Sequence, residues 1–326
     1  MDAMPDQTNL MIVATPATAI VPAIVANAGD QASERFFTFF TDTIRNRNTR
    51  AAYYRNACRF LAWAEAHGLA LGTIKSYHVS AYVEEISLTL SPPSVKQHLA
   101  TIRMLCDWLI LGHVLEINPA AAVRGPKHVV KTGKTPILSA VMARQLLDGI
   151  GDGDLVRLRD RAVIAVCLFS FARIEAALGM DVGDYYPNGK RWWFRLREKG
   201  GKDHEMPAHH NAEAYVDAYI QAAGIADQKR APLFRSAVGK SKLLSDRRMT
   251  RHAALKMIQR RALAAGVNTP VCCHSFRATG ITNYLTNGGT LEKAQRMACH
   301  ESAKTTKLYD RREDELTLDE VERIAI

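Results

Sequence analysis

The sequence predicts a mainly α protein in two parts, an N-terminal helical bundle and a C-terminal α+β domain with a small antiparallel sheet. Apolar residues keep helical spacing throughout residues 36–115. Residues 121–137 then break that pattern with Pro, Gly and Lys, as a linker does. Beyond them only residues 184–207 switch to the two-residue alternation of strands, around two glycine turns. A chain of 326 residues suits about two domains, and 47% hydrophobic against 23% charged residues provides a core.

Residues 1–30 read as a flexible apolar arm. No charge falls between Gln7 and Gly29, but Pro16 and Pro22 interrupt the run, and Asp2 and Asp6 stand where a signal peptide would be basic. An extended arm is therefore expected rather than a membrane span. The bundle, residues 31–120, opens with Phe36, Phe37, Phe39 and Phe40. Thr49 is the expected N-cap of a helix burying Tyr53, Ala57, Phe60, Leu61 and Ala64 and ending near Gly68. Val79, Tyr82, Val83 and Ile86 mark another helix. After Pro92-Pro93, Ser94 is the expected cap of a helix with Val95, Leu99, Ile102, Cys106 and Leu109 inward. Arg50, Lys96 and Arg103 fall off these apolar faces, with Arg45, Arg47, Arg55 and Arg59 nearby. They form either a solvated surface or a phosphate-binding one. The linker adds Arg124, Lys127, Lys131 and Lys134 with no acid, so it suits a path across a phosphate backbone.

The second domain, residues 138–312, starts with Ser139 as a cap and Val141, Leu146 and Leu147 as buried positions. The apolar run from Ala162 to Ala172 is too continuous for a surface helix, and Arg173 follows it directly. A guanidinium there needs a partner. Either Glu175 pairs with it, or it is a phosphate ligand. Asn188-Gly189 signals a hairpin, after which Trp192, Phe194 and Leu196 share one strand face. A second turn, Lys199-Gly200-Gly201-Lys202, leads to a strand over residues 203–207. Residues 246–266 read as a basic helix carrying Arg247, Arg251, Lys256, Arg260 and Arg261.

The chemistry concentrates at residues 273–311. His274 and Arg277 lie three apart, on one face of a helix that continues through Ile281 and Leu285. Asn287-Gly288-Gly289 ends it, and Thr290 caps a short helix with Leu291, Ala294 and Met297. His300 follows, then Tyr309 nine residues later, after a Thr-Thr pair. The balance of 43 basic against 33 acidic residues favours a polyanionic partner. Six scattered cysteines fit free thiols in a reducing compartment. Cys272, Cys273, His274, Cys299 and His300 cluster in sequence, but adjacent pairs turn poorly toward one zinc ion. No P-loop, dinucleotide fingerprint or Mg²⁺-type carboxylate cluster is visible, which argues against an ATPase, a polymerase or a metal-dependent nuclease. No cofactor and no metal are expected.

The ordered set H-x-x-R, a second histidine and a tyrosine nine residues after it resembles the signature of the tyrosine recombinases, or phage integrases. A-R-I-E-A-A-L-G-M is similar to that family's first arginine box, and K-G-G-K-D-H-E-M-P to its lysine turn. The resemblance implies Arg173, Lys202, His274, Arg277, His300 and Tyr309 as the catalytic set, with Lys199 the fallback lysine. Four positions depart from the family pattern: Ala176 replaces an acid, His204 an arginine, Ala278 a histidine and Cys299 a glycine. It further implies a tyrosine-recombinase-like fold, with the bundle as a DNA-binding domain and Arg50, Lys96, Arg103, Lys127, Lys131, Arg247 and Arg251 on the DNA. The implied partner is double-stranded DNA with paired recognition sites, bound by a homo-tetramer in the cytoplasm, on the nucleoid, with no membrane involved.

A phenol with a pKa of about 10 is a poor nucleophile near neutrality. Two arginines opposite it would stabilise charge on the nonbridging phosphate oxygens without a metal. His274 or His300 would accept or orient protons, Lys202 would protonate the departing 5′-oxygen, and Tyr309 would be joined to a 3′-phosphate. That chemistry permits integration, excision or resolution without ATP. A type IB topoisomerase and a non-catalytic DNA-binding regulator are the rival readings. Beyond Tyr309, Thr317-Leu318-Asp319-Glu320 is a capping box, so residues 313–326 read as a short tail helix that needs a receiving surface, in trans or on its own domain.

Overall fold

The computed structural model describes residues 21–129, 133–198, 200–239 and 241–310. Lys131, Lys199, most of the apolar arm and the tail helix lie outside the described residues. The chain divides into two units, Met1–Val129 and Val130–Ile326. Among the described residues, no helix is long and apolar enough to cross a membrane.

The first unit is helical: α1 (Ala23–Ala26), α2 (Asp30–Thr38) continuing into a π-helical turn, α3 (Arg47–Ala66), α4 (Ser76–Ser87) and α5 (Pro92–Leu111). The apolar positions read from sequence on α3, α4 and α5 face its core, where Phe60, Leu61, Tyr82 and Leu99 are buried with Phe36 and Phe39. Three boundaries differ from expectation. The arm ends earlier than residue 30, because Ile24 and Val25 are buried and Glu65 Oε1 accepts the Ile24 N–H at 2.6 Å. Asn46, not Thr49, caps α3, its side chain accepting from the Asn48 and Thr49 N–H groups. Ser91, not Ser94, precedes α5, because Pro92 and Pro93 lack N–H groups that a first turn leaves unpaired anyway.

Two of the cations assigned to DNA are engaged within this unit. Arg50 donates twice to the Ile44 carbonyl, at 3.1 and 2.9 Å. Arg103 ties α5 to the following loop, donating to the carbonyls of Ala120, at 3.0 Å, and Val123. Arg45, Arg47, Arg55, Arg59, Lys96 and Lys127 are exposed.

The second unit is built around α7 (Leu155–Phe169), buried on every side between residues 162 and 168. Packed against it are α6 (Ala140–Ile150), α8 (Ile174–Gly179), α9 (His210–Ala223), α10 (Arg251–Ala264) and α11 (Ser275–Thr286). The chain closes with α12 (Leu291–Met297) and α13 (Ala303–Lys307). Ser139 caps α6 as expected, but Val141 points outward, and Ala143 and Ile150 join Leu146 and Leu147 inside. Strands β1 (Tyr185–Asn188), β2 (Arg191–Glu198) and β3 (Lys202–Pro207) form an antiparallel meander. Gly189, at φ +61°, makes the first turn, and Phe194 and Leu196 are fully buried.

The basic helix begins later than expected. Leu244–Arg248 is a strand, β5, paired antiparallel with β4 (Arg235–Ala237). Its charged residues hide the two-residue alternation that would identify a strand. Nor is α10 simply a solvated basic face. Arg261 donates to the buried Asp160 carboxylate at 2.9 Å, and Arg159 holds the other oxygen at 2.8 Å.

Candidate active site

The site forms where α11 crosses the end of α7. Gly280 makes the crossing possible, since a Cβ there would lie 2.0 Å from the Leu168 carbonyl oxygen and 2.8 Å from the Phe171 ring. One turn earlier on α11, Arg277 is only 2% exposed, and its Nη1 and Nη2 donate to the carbonyls of Phe171 and Ala298. Arg173 follows α7 and precedes α8, and its side chain is 28% exposed, so it retains an open side.

Arg173 does not pair with Glu175, which instead meets Arg251 at 3.4 Å. Its partner is Glu198 at the end of β2, whose carboxylate takes the Arg173 guanidinium and, at 3.3 Å, the Arg173 N–H. The same carboxylate lies 3.8 Å from Arg277. A buried carboxylate between two guanidiniums offsets their mutual repulsion and supplies the desolvated charge with a counter-ion. Ala176, where the family pattern has an acid, is buried, and Glu198 on another element supplies the carboxylate. The signal for it was present: the alternation of Trp192, Phe194 and Leu196, extended one step, puts Glu198 on the buried face. A buried carboxylate demands a cation.

His274 stands at the N-cap of α11, half-buried. Burial lowers its pKa, and Arg277, Arg251 and Arg173 lower it further. His300 is 8% exposed, and its Nδ1 is 2.9 Å from Thr306 Oγ1. Burial, with Arg277 and Arg173, pushes its pKa down to about 3. Both imidazoles are therefore neutral near pH 7. The Tyr309 ring stacks on His300, with centroids 5.7 Å apart and planes 12° from parallel. Cys299 sits in the left-handed region, φ +48°, which explains why glycine suits that position.

Lys202 is exposed at the start of β3 and bonds Glu301 at 2.9 Å, which raises its pKa. With His204, Cys299, His300 and Glu301 it lines a pocket of about 520 Å³. Four of the predicted side chains, Arg173, His274, His300 and Tyr309, thus lie around a fifth, Arg277, and the sixth, Lys202, borders the pocket that His300 shares. Arg247 and Arg251 are exposed on β5 and at the start of α10. Among the described residues, no group of three or more His, Cys, Asp or Glu side chains is arranged to hold a metal ion.

Two fixed guanidiniums, two neutral imidazoles and a phenol are groups able to bind a phosphate and to move protons beside it. The family model described as Phage integrase family matches residues 138–315, more than half of the chain. The chain belongs to the phage integrase family. It is 28% identical over 281 residues to the tyrosine recombinase XerD of Mycobacterium tuberculosis, covering 80% of this chain and 86% of that protein. The tyrosine recombinase XerC of Salmonella typhi is 27% identical over 221 residues, covering 68% and 69%. The fold matches the XerH site-specific recombinase in its post-cleavage complex with palindromic difH substrate, at TM-score 0.68 and 15% identity over 96% of this chain and 91% of that one. It also matches a lambda integrase tetramer bound to a Holliday junction, at TM-score 0.63 and 16% identity over 95% and 87%. Within this phage integrase, the departures at Ala176 and Cys299 thus have physical accounts: Glu198 supplies the acid, and Cys299 adopts the glycine backbone.

Proposed function

We propose that this chain is a site-specific recombinase that cleaves and rejoins double-stranded DNA through a 3′-phosphotyrosyl intermediate. The observation that carries the reading is the pair Arg173 and Arg277, joined through Glu198, beside a tyrosine stacked on a neutral histidine. Arg173 and Arg277 hold the nonbridging oxygens of the scissile phosphate. His274 and His300, kept neutral, accept and orient protons as Tyr309 attacks. Lys202 leaves Glu301 for the DNA and protonates the 5′-oxygen. The phosphotyrosine conserves the bond for religation, so ATP is not needed.

Paired sites and a homo-tetramer follow from the likeness to recombinases of the same architecture, among them the tetramer on a Holliday junction. Lys96, Lys127, Arg247 and Arg251 contact phosphates, whereas Arg50 and Arg103 shape the backbone that presents them. The protein acts in the cytoplasm, on nucleoid DNA. The test is a nicked suicide substrate in excess chelator. Wild type should become covalently attached, and Tyr309→Phe should bind the same DNA without attachment. Attachment of the Phe variant, or a chelator-sensitive reaction, would overturn the reading. Relaxation of plasmids lacking a recognition site would favour the topoisomerase alternative.

A further inference from the structure

The nucleophile candidate lies just past the end of α13, a five-residue helix too short to hold its own shape. The last carbonyls of a helix have no partner within it. Here two successive carbonyls beyond α13 are taken from outside. Leu308 O accepts the Gly133 N–H at 3.0 Å, and Tyr309 O accepts the Thr282 hydroxyl at 2.8 Å. Gly133 leaves no room for slack, since a Cβ there would be 2.6 Å from Leu308 O.

Thr282 belongs to α11, about one and a half turns beyond Arg277. A threonine within a helix commonly turns its hydroxyl back to a carbonyl of its own helix. Thr286 does this, donating to Thr282 O at 3.0 Å. Thr282 does not. A hydroxyl has one proton to donate, and this one goes to the main chain of Tyr309. The helix that carries Arg277 therefore also grips the backbone from which the phenol projects. That helix is itself immobilised by the Gly280 crossing and by the two carbonyl bonds of Arg277.

We propose that Thr282 is a positioning residue for strand cleavage, fixing where Tyr309 stands relative to the phosphate that Arg277 holds. This rests on the reading of Tyr309 as nucleophile. Its own consequence is a defect in nucleophile placement with DNA binding and leaving-group chemistry intact.

The test compares Thr282→Val, which keeps the shape and removes the hydroxyl, with Thr282→Ser, which keeps the hydroxyl. Single-turnover cleavage of the nicked substrate is measured at saturating protein, with Kd measured separately. Val should slow cleavage by about 10- to 100-fold, the scale of a nucleophile misplaced by about 1 Å. Its Kd should change by less than about twofold, because Thr282 is placed on the nucleophile and not on the DNA. Ser should restore most of the rate. A substrate with sulfur at the bridging 5′ position needs no proton on its leaving group, so it should rescue Lys202→Ala but not Thr282→Val. A Val variant that cleaves at the wild-type rate overturns the proposal. So does a Ser variant as slow as Val, or rescue of Val by the sulfur substrate. Wild-type protein run alongside separates the two readings: no covalent complex from wild type refutes Tyr309 chemistry itself, whereas normal cleavage by Val refutes only the role of Thr282.

Discussion

Gly280→Ala tests whether the helix crossing, rather than any reactive group, sets the site. The added Cβ would sit 2.0 Å from Leu168 O and 2.8 Å from the Phe171 ring. Ordinary contact begins near about 3.5 Å, so α11 must retreat by more than about 1 Å at the crossing. Arg277 is one turn away on the same helix, held by two hydrogen bonds to main-chain oxygens. Stretched by more than about 1 Å, both reach the outer edge of hydrogen-bonding distance and lose most of their strength. Overpacking of this kind costs about 1–3 kcal/mol, and each lost bond to a buried charge adds about 1.5–3 kcal/mol. A total near 4 kcal/mol is expected if the helix yields only partly. A displacement of that size also lowers cleavage by about 100-fold. Urea denaturation reads the first quantity and single-turnover cleavage the second. A variant with the wild-type midpoint and the wild-type rate would refute the account of how Arg277 is held.

Three further outcomes are expected. Glu198→Gln leaves two guanidiniums facing each other without a counter-charge and should cost about 3–5 kcal/mol, with cleavage falling more than DNA affinity; unchanged stability by chemical denaturation would show that the carboxylate is not the clamp. Cys299→Gly relieves a left-handed backbone and should raise stability by about 1 kcal/mol, provided the side chain contributes little packing; a drop in the denaturation midpoint would contradict this. His300 has its folded pKa near 3 and an unfolded value near 6.5, so between those values the unfolded chain binds the extra proton. Stability is therefore fully present above pH 6.5 and is lost as pH falls, by up to the order of 4 kcal/mol by pH 3, with His274 acting in the same direction. His300→Asn should flatten that slope in acid titrations followed by circular dichroism, and an unaltered slope would remove His300 as its source.

The sequence by itself determined the helical bundle, the three-stranded meander and the residues that gather at the site. Each is written in local terms, as periodic apolar positions, glycine turns or a fixed spacing of reactive groups. Where charge replaced periodicity the reading failed, as at β5, whose Asp246-Arg247-Arg248 is held as a strand by pairing with β4. Caps were misplaced by three residues at α3 and α5, because several polar residues compete there and only the backbone path chooses among them.

Tertiary structure alone decided the partners of the charged groups. Arg173 had a carboxylate two residues away in sequence and took one 25 residues away, because β2 delivers Glu198 to the buried side and α8 turns Glu175 outward. Arg261, read from sequence only as one charge of a basic helix, is fixed on Asp160 for the same reason. The hold of Thr282 on Tyr309 joins residues 27 apart. Electrostatic pairing depends on distance through space and on the loss of water, and neither is encoded by spacing along the chain.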